Sequence, residues 1–94
     1  MIHDIISTFC VARGVSADDV THESTFRDIC ITRYMIYAYL HNNMNVSASD
    51  IGKVFGRTRI NVLRGIRVLK GWMRYHTEIK EEYHSIIKTI EGAD

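Results

Sequence analysis

The chain has 94 residues, of which 46% are hydrophobic and 24% charged, and these proportions are typical of one globular domain. No run approaches the roughly 20 uninterrupted apolar residues that cross a bilayer, and the N-terminus lacks the basic and apolar regions of a secretory signal. We therefore expect a cytoplasmic protein without a membrane partner.

The two cysteines, Cys10 and Cys30, both fall among apolar residues of helical segments and form no C-x-x-C pair. We expect them to be buried free thiols. The histidines are scattered along the chain, as His3, His22, His41, His76 and His84. Because zinc sites need clustered ligands, we predict no metal site, and nothing indicates a cofactor.

Apolar residues recur at helical spacing and the alternation of strands is missing, so the sequence predicts a single all-α domain of five to six helices. The predicted helical segments are residues 2–13, a short turn beginning at Ser16, residues 27–43, two helices within 47–75, and residues 78–91. Residues 27–43 are apolar almost all round, which is typical of a central core helix.

The segment 47–75 has the pattern of two helices joined by a tight turn. Ser47 can cap the first helix, and Asp50 three residues later completes a capping-box-like arrangement. Gly52 has no side chain, so a second helix can cross closely over it. Gly56 permits the positive φ of a tight turn. This spacing is typical of helix-turn-helix units, which place their second helix in the major groove of DNA.

The second helix of this unit combines a core stripe with a basic outer side. Thr58 can cap it, and its predicted core stripe is Val62, Ile66, Leu69 and Met73. The opposite side carries Ile60, Arg64, Arg67, Gly71 and Arg74. An outward Ile60 beside Arg59 suits a thymine methyl. A basic helix that is merely solvated is the alternative interpretation.

Positive charge concentrates on this unit, although the net charge is only +1. Seven of the 12 Lys and Arg residues lie between Ile51 and Thr77, and none of the 11 acidic residues does. The seven are Lys53, Arg57, Arg59, Arg64, Arg67, Lys70 and Arg74. Such a distribution favours an anionic ligand on one face.

Several landmarks together carry a family resemblance. They are the opening helix, Val15-Ser16-Ala17-Asp18-Asp19-Val20, Arg33-Tyr34-Met35, Leu40, Asp50-Ile51-Gly52, Phe55-Gly56, Val62-Leu63, Ile66 and Glu78-Ile79-Lys80-Glu81-Glu82-Tyr83. From about Ile2 to Ile90, the chain resembles the C-terminal DNA-binding domain of the bacterial replication initiator DnaA. The resemblance implies a helix-turn-helix domain with a Trp-repressor-like fold that recognises short duplex sites.

The resemblance also implies roles for individual residues outside the second helix. Arg33 matches a family arginine that contacts the DNA backbone, and His41 falls where the family often has a phosphate-binding lysine. Ser47 and Ala48 fall where the family meets phosphate. Arg27 lies in a loop that reaches the adjacent minor groove. Thr25 stands at the neighbouring position of that loop, which weakens the match there.

The resemblance has two departures that change what is expected. The family usually has Gly-Gly-Arg-Asp-His-Ser/Thr-Thr-Val, whereas this chain has Gly56-Arg57-Thr58-Arg59-Ile60-Asn61-Val62, one residue shorter. Thr58, Arg59 and Ile60 replace the family's base readers, so the family's usual binding sequence is not expected here. The ATPase domain of the initiator has no counterpart in the sequence, so we expect a free-standing module.

We predict a double-stranded DNA-binding protein with sequence preference, serving replication control or transcription regulation, and no catalytic activity or small-molecule substrate. The predicted base readers are Arg59, Ile60, Arg64 and Asn61. The predicted phosphate contacts are Arg57, Thr58, Arg67, Arg33 and Ser47.

Two alternatives bear on this prediction. The first is a protein-interaction adaptor that kept the fold and lost DNA binding. The second is a small enzyme, or an accessory domain of a nuclease or transposase, and the dispersed acidic residues do not support catalysis. The oligomeric state is a separate question, since Trp72, Met73 and Tyr75 could pack a dimer interface. Because a tryptophan at the end of a long helix usually packs on its own chain, a monomer is favoured.

Overall fold

The computed structural model describes residues 2–22 and 24–92, which fold into six α-helices with no strand between them. In chain order these are α1 (Ile2–Arg13), α2 (Ala17–Thr21), α3 (Arg27–Asn42), α4 (Ala48–Phe55), α5 (Arg59–Tyr75) and α6 (Thr77–Glu91). Met1, Glu23, Ala93 and Asp94 belong to the predicted domain but lie outside the described residues. The prediction of an all-α domain is confirmed. None of the described helices is long and apolar enough to cross a membrane.

The third helix is the centre of the core. It contacts α1, α2, α4 and α5, and every residue from Met35 to Leu40 is at most 4% exposed. Tyr37 meets Phe55 of α4 edge to face, with ring centroids 4.9 Å apart, a geometry that aromatic pairs favour. The all-round apolar pattern of residues 27–43 therefore did indicate a central core helix.

Arg13, at the end of α1, connects this helix with α3 and α6. Its Nε donates to the Thr32 hydroxyl of α3 at 2.8 Å. Its guanidinium also pairs with Glu82 of α6 and lies 3.6 Å from the Asp28 carboxylate of α3. The Arg13 side chain is only 8% exposed, whereas Glu82 and Asp28 are 41% and 74% exposed, so the ion pairs are buried on the arginine side only.

The fourth helix has the predicted caps at both ends. The Ser47 hydroxyl accepts from the Asp50 backbone N–H at 3.1 Å, and Gly56 adopts a φ of 65°. Two expectations need correction. The Asp50 carboxylate lies 3.8 Å from the Lys53 amine, which does not complete a capping box. At Gly52 the close neighbour is the carbonyl of Arg57 in the turn, with which a Cβ would collide, and not a crossing helix.

The fifth helix is held against α3 by aromatic rings packed on a glycine. A Cβ on Gly65 would lie 2.7 Å from Cδ1 of Tyr34 and 3.1 Å from Cδ2 of Tyr37. The Trp72 ring stacks on Tyr34, with centroids 5.7 Å apart and planes at 24°. Trp72 therefore packs on its own chain. The absence of a side chain at Gly65 allows α5 to pack closely against α3.

Candidate nucleic-acid interface

The outer face of α5 is a row of exposed basic side chains beside one exposed isoleucine. Ile60 is 61% exposed, and Arg64, Arg67 and Arg74 are exposed on the same side. In the described part of the chain, no carboxylate lies within 4 Å of these guanidinium groups. We call Arg59, Arg64, Arg67 and Arg74 the α5 arginine row.

The first turn of α5 is exposed to solvent. The Thr58 hydroxyl accepts from the Asn61 backbone N–H at 3.2 Å, as predicted for the cap. Thr58, Arg59 and Asn61 are all exposed. Since the cap uses the Thr58 oxygen as an acceptor, its O–H remains able to donate. From Arg59 to Arg67 the helix rises about 12 Å, close to the width of a major groove.

A cleft of about 330 Å³ lies between α5, α3 and the loop before α3. We call it the arginine cleft, because three arginines line it and none of the described residues that line it is acidic. The lining residues are Ser24, Thr25, Cys30, Arg33, Tyr34, Tyr37, Arg57, Asn61, Arg64 and Gly65. Three positive charges around hydroxyl, amide and ring edges form a suitable environment for an anionic group such as a phosphate.

Arg33 lies beneath this cleft and is bonded within the chain. It is 5% exposed, and its Nε donates to the Val20 carbonyl at 2.7 Å. Its Nη2 donates to the carbonyls of Asp19 and His22, and its Nη1 faces the Ser24 carbonyl and the Cys30 sulfur. All five N–H donors have an acceptor. Arg33 therefore holds the loop before α3, and its contact with the DNA backbone, which the resemblance implied, stays a prediction.

Arg57 bridges the turn to both sides of the cleft. Its Nη2 donates to the His22 carbonyl at 3.3 Å, and its side chain lines the cleft together with Tyr37. Burial raises the pKa of Tyr37, while the charges of Arg33 and Arg57 act in the opposite direction. The half-buried Arg57 thus carries its charge at a fixed place on the cleft wall.

The remaining predicted site residues lie around these two features. Ser47 is exposed at the start of α4, and Arg27 is exposed at the start of α3. The half-buried His41 places its Nδ1 3.0 Å from the Val46 carbonyl oxygen. Because a carbonyl only accepts, Nδ1 carries the proton, and the ring braces the turn between α3 and α4. His41 is thus tied to the backbone at the end of α3 and does not line the arginine cleft.

One cysteine differs from its expectation. Cys10 is buried, and burial raises the pKa of its thiol. Cys30 is only partly buried, lines the arginine cleft and directs its sulfur 3.3 Å from the Ser24 carbonyl. The prediction that Cys30 is buried was therefore wrong. The available signal was the spacing, since Cys30 lies three residues before Arg33 and so on the same helix face.

Comparison with known proteins agrees with the resemblance found in the sequence. Over 82 residues, or 87% of this chain, it is 27% identical to the chromosomal replication initiator protein DnaA of Leptospira biflexa serovar Patoc, in two strains. The chain is thus distantly similar to DnaA. It spans only 19% of the length of these initiators. No protein-family profile matches the chain. The predicted relationship to DnaA is confirmed, and the six-helix all-α fold agrees with it.

Proposed function

We propose that this chain is a double-stranded DNA-binding domain that uses α4 and α5 as a helix-turn-helix. The observation that carries the proposal is the α5 arginine row, exposed and unpaired by carboxylates of the described residues. A helix with a capped, exposed first turn and no acidic residue from Ile51 to Thr77 is suited to enter a major groove. The distant relationship to replication initiators supports the same function.

The first turn of α5 carries the proposed base contacts. Arg59 and Arg64 can each donate a bidentate pair to guanine O6 and N7, and Ile60 can cover a thymine methyl. Asn61 borders the arginine cleft and can bond an adenine edge or a phosphate. These side chains differ from the carboxylate and imidazole readers of the family, so we propose a sequence preference of its own for this domain.

The surrounding groups carry the proposed phosphate contacts. Arg57 and Arg67 supply charge on the two sides of the first turns of α5, while the hydroxyls of Thr58 and Ser47 supply neutral donors. The arginine cleft receives one phosphate of the strand beside the occupied groove. Arg33 adds its charge from beneath while holding the loop in place. With these contacts the domain serves replication control or transcription regulation, and no catalytic step is proposed.

The test is site selection on random duplexes, followed by fluorescence anisotropy on the tightest duplex recovered and on a scrambled one. Arg59→Ala should weaken binding to the selected duplex by about 1–3 kcal/mol and leave the scrambled duplex nearly unchanged. Arg67→Ala should weaken both duplexes alike and lower the salt slope by about 1. Lys88→Ala, an exposed cation on α6, is the matched control and should change neither.

Each possible failure has a distinct meaning. Equal losses on both duplexes for Arg59→Ala would contradict its base-reading role but not DNA binding. Absence of binding to any duplex at low salt would contradict the proposed function. The α5 arginine row would then be tested against protein partners, as in an adaptor that kept the fold.

A further inference from the structure

The loop between α2 and α3 is fixed to both neighbouring elements. The His22 carbonyl accepts from Arg33 Nη2 at 2.7 Å and from Arg57 Nη2 at 3.3 Å. The Ser24 carbonyl accepts from Arg33 Nη1 at 3.2 Å. Arg33 and Arg57, from different elements, therefore both hold His22, and Arg33 also holds Ser24, so these two residues keep a defined position relative to α5.

The last residue of this loop presents an aromatic ring to solvent. Phe26 is 76% exposed and immediately precedes α3. Its backbone N–H lies 3.4 Å from the Ser24 hydroxyl oxygen, and the exposed Arg27 follows it. Phe26 is therefore a large apolar ring at the surface, next to a loop that Arg33 and Arg57 hold by hydrogen bonds.

The arginine cleft separates this loop from the first turns of α5, since Ser24 and Thr25 line one side and Asn61 and Arg64 the other. In duplex DNA each sugar-phosphate strand separates a major groove from a minor groove. When α5 occupies the major groove and the cleft holds the bordering strand, the loop beyond the cleft meets the adjacent minor groove. Phe26 is then the large apolar side chain nearest to that groove.

We propose that Phe26 inserts between two base pairs from the minor-groove side and bends the bound duplex toward the major groove. This inference rests on the proposed function. Apolar wedges of this kind unstack one step and widen the minor groove, which increases the contact of the protein with the bent duplex. Pyrimidine–purine steps such as TA and CA unstack most easily. A preferred site therefore carries such a step beside the bases that α5 contacts, and Arg27 binds a phosphate or groove edge next to it.

The experiment uses the full chain and the tightest duplex from site selection, about 30 base pairs long, with a donor and an acceptor dye on its two ends. Wild-type protein should raise energy transfer on binding, and 2-aminopurine at the inserted step should brighten as it unstacks. Phe26→Ala should bind about tenfold more weakly and leave energy transfer at the value of the free duplex. Phe26→Trp should retain the bend, because an indole can occupy the same gap.

Tyr75→Ala is the matched control, because Tyr75 is 79% exposed at the far end of α5 and about 24 Å along the helix from Arg59. It should bend DNA as the wild type does. Binding without bending, or bending that survives Phe26→Ala, overturns this inference and leaves the proposed function intact. No duplex binding by the wild type overturns both. Equal thermal unfolding of Phe26→Ala and wild type shows that the variant is folded.

Discussion

Two groups of arginines lie in different regions of this molecule and are used in different ways. Arg13 and Arg33 are almost fully buried, and their donors are taken up by Thr32, Glu82 and the carbonyls around the α2–α3 loop. The arginines of the α5 arginine row are exposed instead, and no carboxylate of the described residues pairs with them. An arginine can therefore bind a ligand only when its N–H donors are not already used within the chain, whatever its charge.

The largest expected effect concerns Arg33. Arg33→Ala should lower the free energy of unfolding by about 3 kcal/mol, because several charge-assisted hydrogen bonds are lost and buried carbonyls lose their donor. Urea unfolding followed by circular dichroism measures this loss. Arg64→Ala is the control and should stay within about 0.5 kcal/mol of the wild type. If the Arg33→Ala variant is as stable as the wild type but has lost DNA affinity, Arg33 contacts DNA directly and does not stabilise the fold.

The second effect concerns the pairing of Arg13 with Glu82. Arg13→Met keeps most of the buried stem and removes the charge, and should cost about 2 kcal/mol because Glu82 and the Thr32 hydroxyl lose their partner. A double-mutant cycle with Glu82→Gln isolates the coupling between the two side chains. Lys53→Met breaks the exposed pair with Asp50 and should have little effect. A coupling energy near zero would contradict a stabilising interaction between Arg13 and Glu82.

The third effect tests how α5 is positioned. Gly65→Ala should destabilise the fold by about 1–3 kcal/mol, because the added Cβ overlaps the Tyr34 ring. Gly71→Ala is the matched control on the same helix, where nothing lies within 4 Å of the added Cβ. It should stabilise the fold by about 0.5–1 kcal/mol through helix propensity. Thermal unfolding compares the two variants, and equal changes would refute a close contact at Gly65.

The smallest effect compares two buried tyrosines, of which only Tyr37 lies near arginines. Burial raises the pKa of Tyr83 to about 12, whereas Arg33 and Arg57 oppose the rise at Tyr37. A raised folded-state pKa means that stability is complete below the unfolded pKa of about 10 and is lost as pH rises toward 12. At pH 11 the loss from Tyr83 is about 1.4 kcal/mol. Tyr83→Phe should remove more of the alkaline destabilisation than Tyr37→Phe does in unfolding at pH 8 and pH 11.

Local chemistry made the helices and caps predictable from sequence. Ser47 and Thr58 cap their helices as predicted, and Gly56 has the predicted positive φ. The predicted 78–91 helix begins one residue earlier, at Thr77. These features depend on residues within one turn of each other, so the sequence pattern alone contains them.

Contacts between distant segments were not predictable in this way. Arg13 and Glu82 are 69 positions apart, and the Arg33 acceptors lie on α2 and in the loop after it. Nothing in the spacing of these residues indicates which charges become buried, because that depends on how helices pack. The exposed side of α5 was predictable from its periodicity, whereas the arginine cleft required the fold.

The most direct test of the central claim is the salt dependence of duplex binding, measured by fluorescence anisotropy at several salt concentrations. Each neutralised phosphate contributes about −0.9 to the slope of log K against log salt. We expect a wild-type slope steeper than about −3, and a clearly shallower slope when Arg59, Arg64 and Arg67 are all changed to Ala. An unchanged slope in this triple variant, or no duplex binding by the wild type at low salt, would contradict DNA binding through α5.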